Sequence, residues 1–150
     1  MTDSLNAFAD ALSPAFREND PACDHKEREA ANVACVQAFY RAVALDDYEA
    51  VRACLTPDIA FELLGAQGFP KTGAAGIEDV MVQIEANFSA ISSEEAVIET
   101  IVAQGDMLMA VARDRGHFKQ SGAPYHLQLL MHYTLREGRI CHFRQWLFGL

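Results

Sequence analysis

The sequence predicts an α+β domain: three helices, then a strongly curved antiparallel sheet, together enclosing an apolar pocket. Three observations carry this. The first half of the chain has apolar residues at helical spacing, the last third is four alternating runs separated by turn signals, and 150 residues suffice for one core without staples.

Leu5, Phe8, Ala9, Leu12 and Phe16 recur at helical steps before Ser13-Pro14 and Asn19-Asp20-Pro21 break the pattern, so residues 1–27 read as a helical extension. The domain proper then covers 28–150. A helix over Lys26–Asp46 has Val33, Val36, Tyr40 and Val43 on one face and Cys35, Phe39, Ala42 and Leu45 on the next; so wide an apolar arc must be covered on most sides. Asp46-Asp47 caps a second helix, Tyr48–Leu55, which Thr56-Pro57 stops. Ile59–Leu64 reads as a strand and Gly65–Gly76 as a loop. A third helix, Ile77–Ile91, presents Ile77, Val80, Met81, Ile84 and Phe88 on one face.

Strands are expected at Ala96–Ala103, Met107–Phe118, Tyr125–Leu135 and Ile140–Phe148, separated by Gln104-Gly105-Asp106, Ser121-Gly122-Ala123-Pro124 and Arg136-Glu137-Gly138-Arg139. Gly138 fits the left-handed position of a three-residue hairpin with a bulge. That turn would pair Leu135 with Arg139, Met131 with Phe143 and His132 with His142. Tyr125, Leu127, Leu129, Met131, Tyr133, Leu135, Phe143, Gln145 and Leu147 then face inward, and His126, Gln128, His132, Thr134, His142, Arg144 and Trp146 outward.

The totals narrow the function. Apolar residues at 51% and charged ones at 22% are globular, and no apolar run is long enough to span a membrane. Twelve Lys+Arg against 21 Asp+Glu, a net charge of -9, argue against nucleic acid and anionic membranes as partners. The first residues lack the basic start and continuous apolar run of a secretory signal, so a cytoplasmic protein is expected. Cys23, Cys35, Cys54 and Cys141 have no ligand spacing and read as buried free thiols. His126, His132 and His142 share the face opposite the pocket without a carboxylate at ligand spacing, so no metal is expected.

The stretch SGAPYHLQLLMHYTLREGRICHFRQW, preceded by three helices and PDIAFELLG, resembles the cone-shaped superfamily of nuclear transport factor 2, ketosteroid isomerase, SnoaL-type polyketide cyclases and limonene epoxide hydrolase, over roughly residues 28 to 148. Against limonene epoxide hydrolase, only one carboxylate is retained, as Asp114. The arginine position falls on Ala112, the water-activating aspartate on Gln145, and the tyrosine and asparagine on Phe61 and Leu63. Against ketosteroid isomerase, the general base falls near Leu63, the protonated aspartate near Met131, and the oxyanion-hole tyrosine near Phe39, with Tyr40 one residue away. Both sets of machinery are expected to be absent.

The expected activity is cofactor-free acid–base chemistry (isomerisation, cyclisation, dehydration or lyase cleavage) on a small hydrophobic organic molecule, ring-containing in keeping with the resemblance. Asp114 is the candidate proton-transfer group if it enters the pocket, because desolvation raises a carboxyl pKa toward neutrality; a slip of one residue would leave it outside, beside Arg113 or Arg115. Gln145 and Tyr40 are candidates to orient substrate. Phe61, Leu63, Phe88, Ala112, Tyr125, Leu127, Leu129, Met131, Tyr133, Phe143 and Leu147 are the candidate substrate-binding wall. The alternative is a domain of the same fold that binds a small ligand or a protein without turnover. Met109, Val111, Leu130 and Trp146 among the outer arginines and histidines predict a homodimer through that sheet face.

Overall fold

In the computed structural model, which describes residues 25–65 and 72–149, helix α1 runs His25–Ala44 and buries Asn32, Val36, Phe39, Ala42 and Val43. The helix expected around Leu5–Phe16 lies outside the described residues. Asn32 is buried because its Nδ2 donates to Gly105 O at 3.0 Å, while Gly105 N donates to Glu29 Oε1 at 2.8 Å. These two bonds tie the helix to the turn between the third and fourth strands. Helix α2, Tyr48–Ala53, is capped by Asp47, which accepts from Ala50 N at 3.1 Å. It stops short of the expected Leu55 because that residue already pairs with Ile140 in the sheet.

Strand β1, Leu55–Leu64, therefore starts before the expected Ile59 and absorbs an irregularity between Leu55 and Ala60. A short edge strand β2, Gly73–Ala75, pairs antiparallel with β1 inside the stretch read as loop. Helix α3 spans Ile77–Ser89, and β3 follows directly at Ile91–Gln104. Strands β4 (Met107–Phe118), β5 (Pro124–Arg136) and β6 (Arg139–Phe148) complete a six-stranded sheet of order β2-β1-β6-β5-β4-β3. The sheet is mixed, since β1 runs parallel to β6 and the other pairs are antiparallel. The helical segment between β2 and β3, and the whole meander after it, bring β6 back beside β1. Bulges in β3 at Ser93/Glu95 and Ile98/Thr100 bend that strand, which is how an open sheet becomes concave.

The β5–β6 hairpin differs from its expected form. Glu137 and Gly138 both take positive φ, 52° and 73°, which makes a two-residue turn between the paired Arg136 and Arg139. The bulge moves into β6 between Ile140 and His142, and beyond it Met131 pairs with Gln145, Tyr133 with Phe143 and His132 with Arg144. Pairing is thus displaced by two residues along β6. Two is the side-chain period of a strand, so every inward residue stays inward: Tyr125, Leu127, Leu129, Met131, Tyr133, Leu135, Phe143 and Leu147 are all buried.

On the outer face the same register lines up Val111, Leu130, Trp146 and Leu64 as one cross-strand row over β4, β5, β6 and β1. Leu64 is exposed, as is Met109 beside the row, and the Arg144 guanidinium lies 5.7 Å from the Trp146 ring centroid.

Candidate functional site

Between α1, α3 and the concave face of the sheet lies a cavity of ≈ 700 Å³, within the range of small-molecule sites. Of the residues singled out from sequence, Tyr40, Leu63, Phe88, Ala112, Asp114, Leu127, Leu129, Met131, Gln145 and Leu147 line it. Phe61, Tyr125, Tyr133 and Phe143 do not. Phe61 and Tyr133 pack on Phe143 with ring centroids 5.0 and 4.5 Å away, and Phe39 meets it edge-on at 5.8 Å. Alternation put these three rings on the inner face, but α1 closes over them and they become core. Tyr125 is buried behind Asp114.

Asp114 enters the cavity wall from β4 and does not pair with the flanking arginines. Arg115 Nε instead meets Glu95 Oε2 at 2.7 Å, and Arg113 lies 3.8 Å from Glu95 and from Glu99. The carboxylate of Asp114 is held by two hydroxyls: Ser93 Oγ donates to Oδ1 at 2.6 Å and Tyr125 Oη to Oδ2 at 3.1 Å. Burial raises its pKa above the ordinary carboxylate value, and the two donors only partly offset this. Glycine at position 116 makes the arrangement possible. A Cβ there would stand 2.0 Å from Ser92 O and 2.9 Å from Tyr125 Oη.

Tyr40 comes from α1 and its hydroxyl is hydrogen-bonded to Tyr133 Oη and to Met131 Sδ. Burial pushes both phenols far up, so each is a neutral hydroxyl at any ordinary pH. With Tyr133 donating to Tyr40, the Tyr40 proton is left for Met131 or for an occupant of the cavity. Gln145 stands opposite Met131 on β6, lines the cavity, and its side chain makes no hydrogen bond among the described residues. The amide is open to a ligand on both its donor and acceptor sides.

Several polar members of the site escaped the sequence reading, Arg41, Asp46, Ser92, Glu94 and Lys119 among them, and two of these omissions have a structural reason. Ser93 lies at the bulged start of β3, ahead of the expected strand, where alternation gives no face. Asn87 lies on α3 at helical spacing from the buried Val80 and Ile84, and is itself buried in the cavity wall beside Phe88. A polar residue inside an apolar helical face was the available signal. On the outer face, His132 stands opposite Arg144 and His142 opposite Thr134, which separates the two histidines expected to be paired. Among the described residues no three of His, Cys, Asp and Glu come together as a metal site, and no helix is long and apolar enough to cross a membrane.

No curated protein matches this sequence. The fold is shared with solved structures of low identity. A nuclear transport factor 2-like protein from Burkholderia xenovorans LB400 superposes with a TM-score of 0.69 at 18% identity, over 80% of this chain and 91% of that one. A candidate SnoaL-like polyketide cyclase from Jannaschia sp. CCS1 gives 0.71 at 22% identity, over 84% and 91%. A Mycobacterium tuberculosis protein solved with estradiol-17beta-hemisuccinate gives 0.65 at 19%, over 77% and 92%. The match that assigns the chain is at family level: residues 36–143 fit the SnoaL-like domain, and the protein belongs to that family.

Proposed function

We propose that the protein is a cofactor-free acid–base enzyme acting on an apolar, ring-containing small molecule, with Asp114 as the group that moves the proton. The observation that carries this is a carboxylate of raised pKa in the wall of a cavity that also includes Arg41, Arg113 and Lys119, yet steadied by Ser93 and Tyr125 rather than paired with any of these cations. As a base, Asp114 removes a proton from a carbon next to a carbonyl. Gln145 or Tyr40 donates to the carbonyl oxygen as negative charge grows there, and Asp114 returns the proton elsewhere on the ring system. Atoms balance without an added reagent: isomerisation, aldol-type cyclisation, dehydration and lyase elimination of a β-leaving group all begin this way, the proton passing in an elimination to the departing group. A ring-shaped substrate is supported by the steroid ester held by one structural neighbour and by the cyclase designation of another.

A second reading, a binding domain without turnover, is favoured by the apolar side chains of Phe61, Leu63, Ala112 and Met131 at positions where related enzymes carry polar catalytic groups. One experiment separates the two. Cyclic ketones incubated with the protein in heavy water gain deuterium beside the carbonyl if Asp114 abstracts protons, and Asp114→Asn lowers that rate by about 10²- to 10⁴-fold. Binding without exchange supports the second reading.

Assembly and location complete the proposal: a homodimer through the outer sheet face, in the cytoplasm. The Val111, Leu130, Trp146 and Leu64 row supports the first, and the free thiols of Cys35, Cys54 and Cys141, as expected in a reducing compartment, support the second.

A further inference from the structure

Asn87 stands in the cavity wall and has no part in the proton transfer proposed for Asp114. It occupies the last turn of α3, is 4% exposed, and its Oδ1 is sealed from water with no hydrogen-bond donor among the described residues. Buried acceptors are nearly always paired, since an unpaired one forfeits its hydration and gains nothing in return. Packing alone does not call for an amide here. The same helix buries Val80, Met81 and Ile84 beside the polar Gln83, and leucine has the branched outline of asparagine, in a larger side chain, without its polar atoms.

We propose that Asn87 anchors the occupant of the cavity: its Oδ1 accepts a hydrogen bond from a hydroxyl or N–H, so the occupant is an apolar molecule that carries a hydrogen-bond donor where it meets α3. The terminal torsion of asparagine is soft and roughly two-fold, so a turn of the carboxamide brings the oxygen to the cavity without moving the helix. This rests on reading the cavity as a small-molecule site, and it adds a requirement to that reading. Asp114, Gln145 and Tyr40 address the reacting carbonyl, whereas Asn87 selects molecules with a second, donor-bearing group.

The test uses two probes of nearly equal shape, 2-naphthol and 2-methoxynaphthalene, titrated calorimetrically into the wild-type protein and Asn87→Leu at neutral pH. The wild type is expected to bind the naphthol about three- to tenfold more tightly than the ether, the worth of one net hydrogen bond. In Asn87→Leu that ratio falls to about one while affinity for the ether is kept, and circular dichroism shows the variant folded. A preference that persists in Asn87→Leu assigns the donor contact to another residue and overturns the proposal. Equal binding of both probes by the wild type overturns it without any variant. Failure of the wild type to bind either probe at millimolar concentration is a different outcome, because it removes the small-molecule reading of the cavity itself.

Discussion

Tyr125 donates to Asp114 Oδ2 at 3.1 Å from a diagonal position: the residue paired across the strands with Asp114 is Leu127, while Tyr125 pairs with Gly116. The missing side chain at Gly116 leaves the space in which the phenol lies. Removing the phenol oxygen with Tyr125→Phe withdraws a bond that favours the ionised carboxylate. The Asp114 pKa should therefore rise further, by about one unit for a charge-assisted hydrogen bond. Carboxyl-detected NMR titration reads it, and an unchanged or lower pKa would refute the role given to Tyr125.

The raised pKa also sets the sign of a stability effect. A carboxyl with a folded-state pKa above its unfolded value stabilises the fold below the unfolded pKa, and that contribution is lost as pH rises through the folded pKa. Asp114→Asn should accordingly melt higher than wild type at pH 7, with the difference closing below the ordinary carboxylate range. Thermal melts across that interval check this; a variant less stable at pH 7 would mean the two hydroxyl bonds outweigh desolvation.

Gly116→Ala places a methyl group against the Ser92 carbonyl, a backbone atom that cannot rotate away. Overpacking of this kind costs about 1–3 kcal/mol. Chemical denaturation should show a loss of that size, and the Asp114 pKa should move as in Tyr125→Phe, because the phenol is displaced as well.

The outer row makes a prediction about assembly. Leu130 is its centre, paired with Val111 on one side and Trp146 on the other. Light scattering should give a dimer for the wild type, and Leu130→Arg should give a folded monomer by the same method and circular dichroism. A wild-type monomer at micromolar concentration would remove the interface.

Much of this was legible in the alternation of two strands. Tyr125 to Leu135 and Phe143 to Leu147 announced their inner face, and that face survived a two-residue displacement because the pleat repeats every two residues. The displacement itself was not legible. It depends on Glu137, a residue that seldom takes positive φ, doing so beside Gly138. Nor could spacing show that β1 lies parallel to β6, or that a three-residue stretch at Gly73 forms an edge strand, since both depend on where the chain returns after α3. Within the site, Asp114 was readable as the surviving carboxylate. Its partner Ser93 was hidden by a bulge, and the division of the aromatics between cavity and core depended on the position of α1.

Among the described residues strand β3 has a partner, β4, along one edge only, and the sheet ends there. Fourteen extended residues with an open row of amides and carbonyls would ordinarily recruit a like strand from another molecule and start a fibre. The two bulges that give the sheet its concavity also interrupt that row, and Glu94, Glu95 and Glu99, the last two paired with Arg113 and Arg115, crowd both interruptions with charged side chains, on a chain whose net charge is already -9. The irregularities that shape the cavity thus also guard the protein against polymerisation, and straightening β3 to stabilise it would weaken that protection.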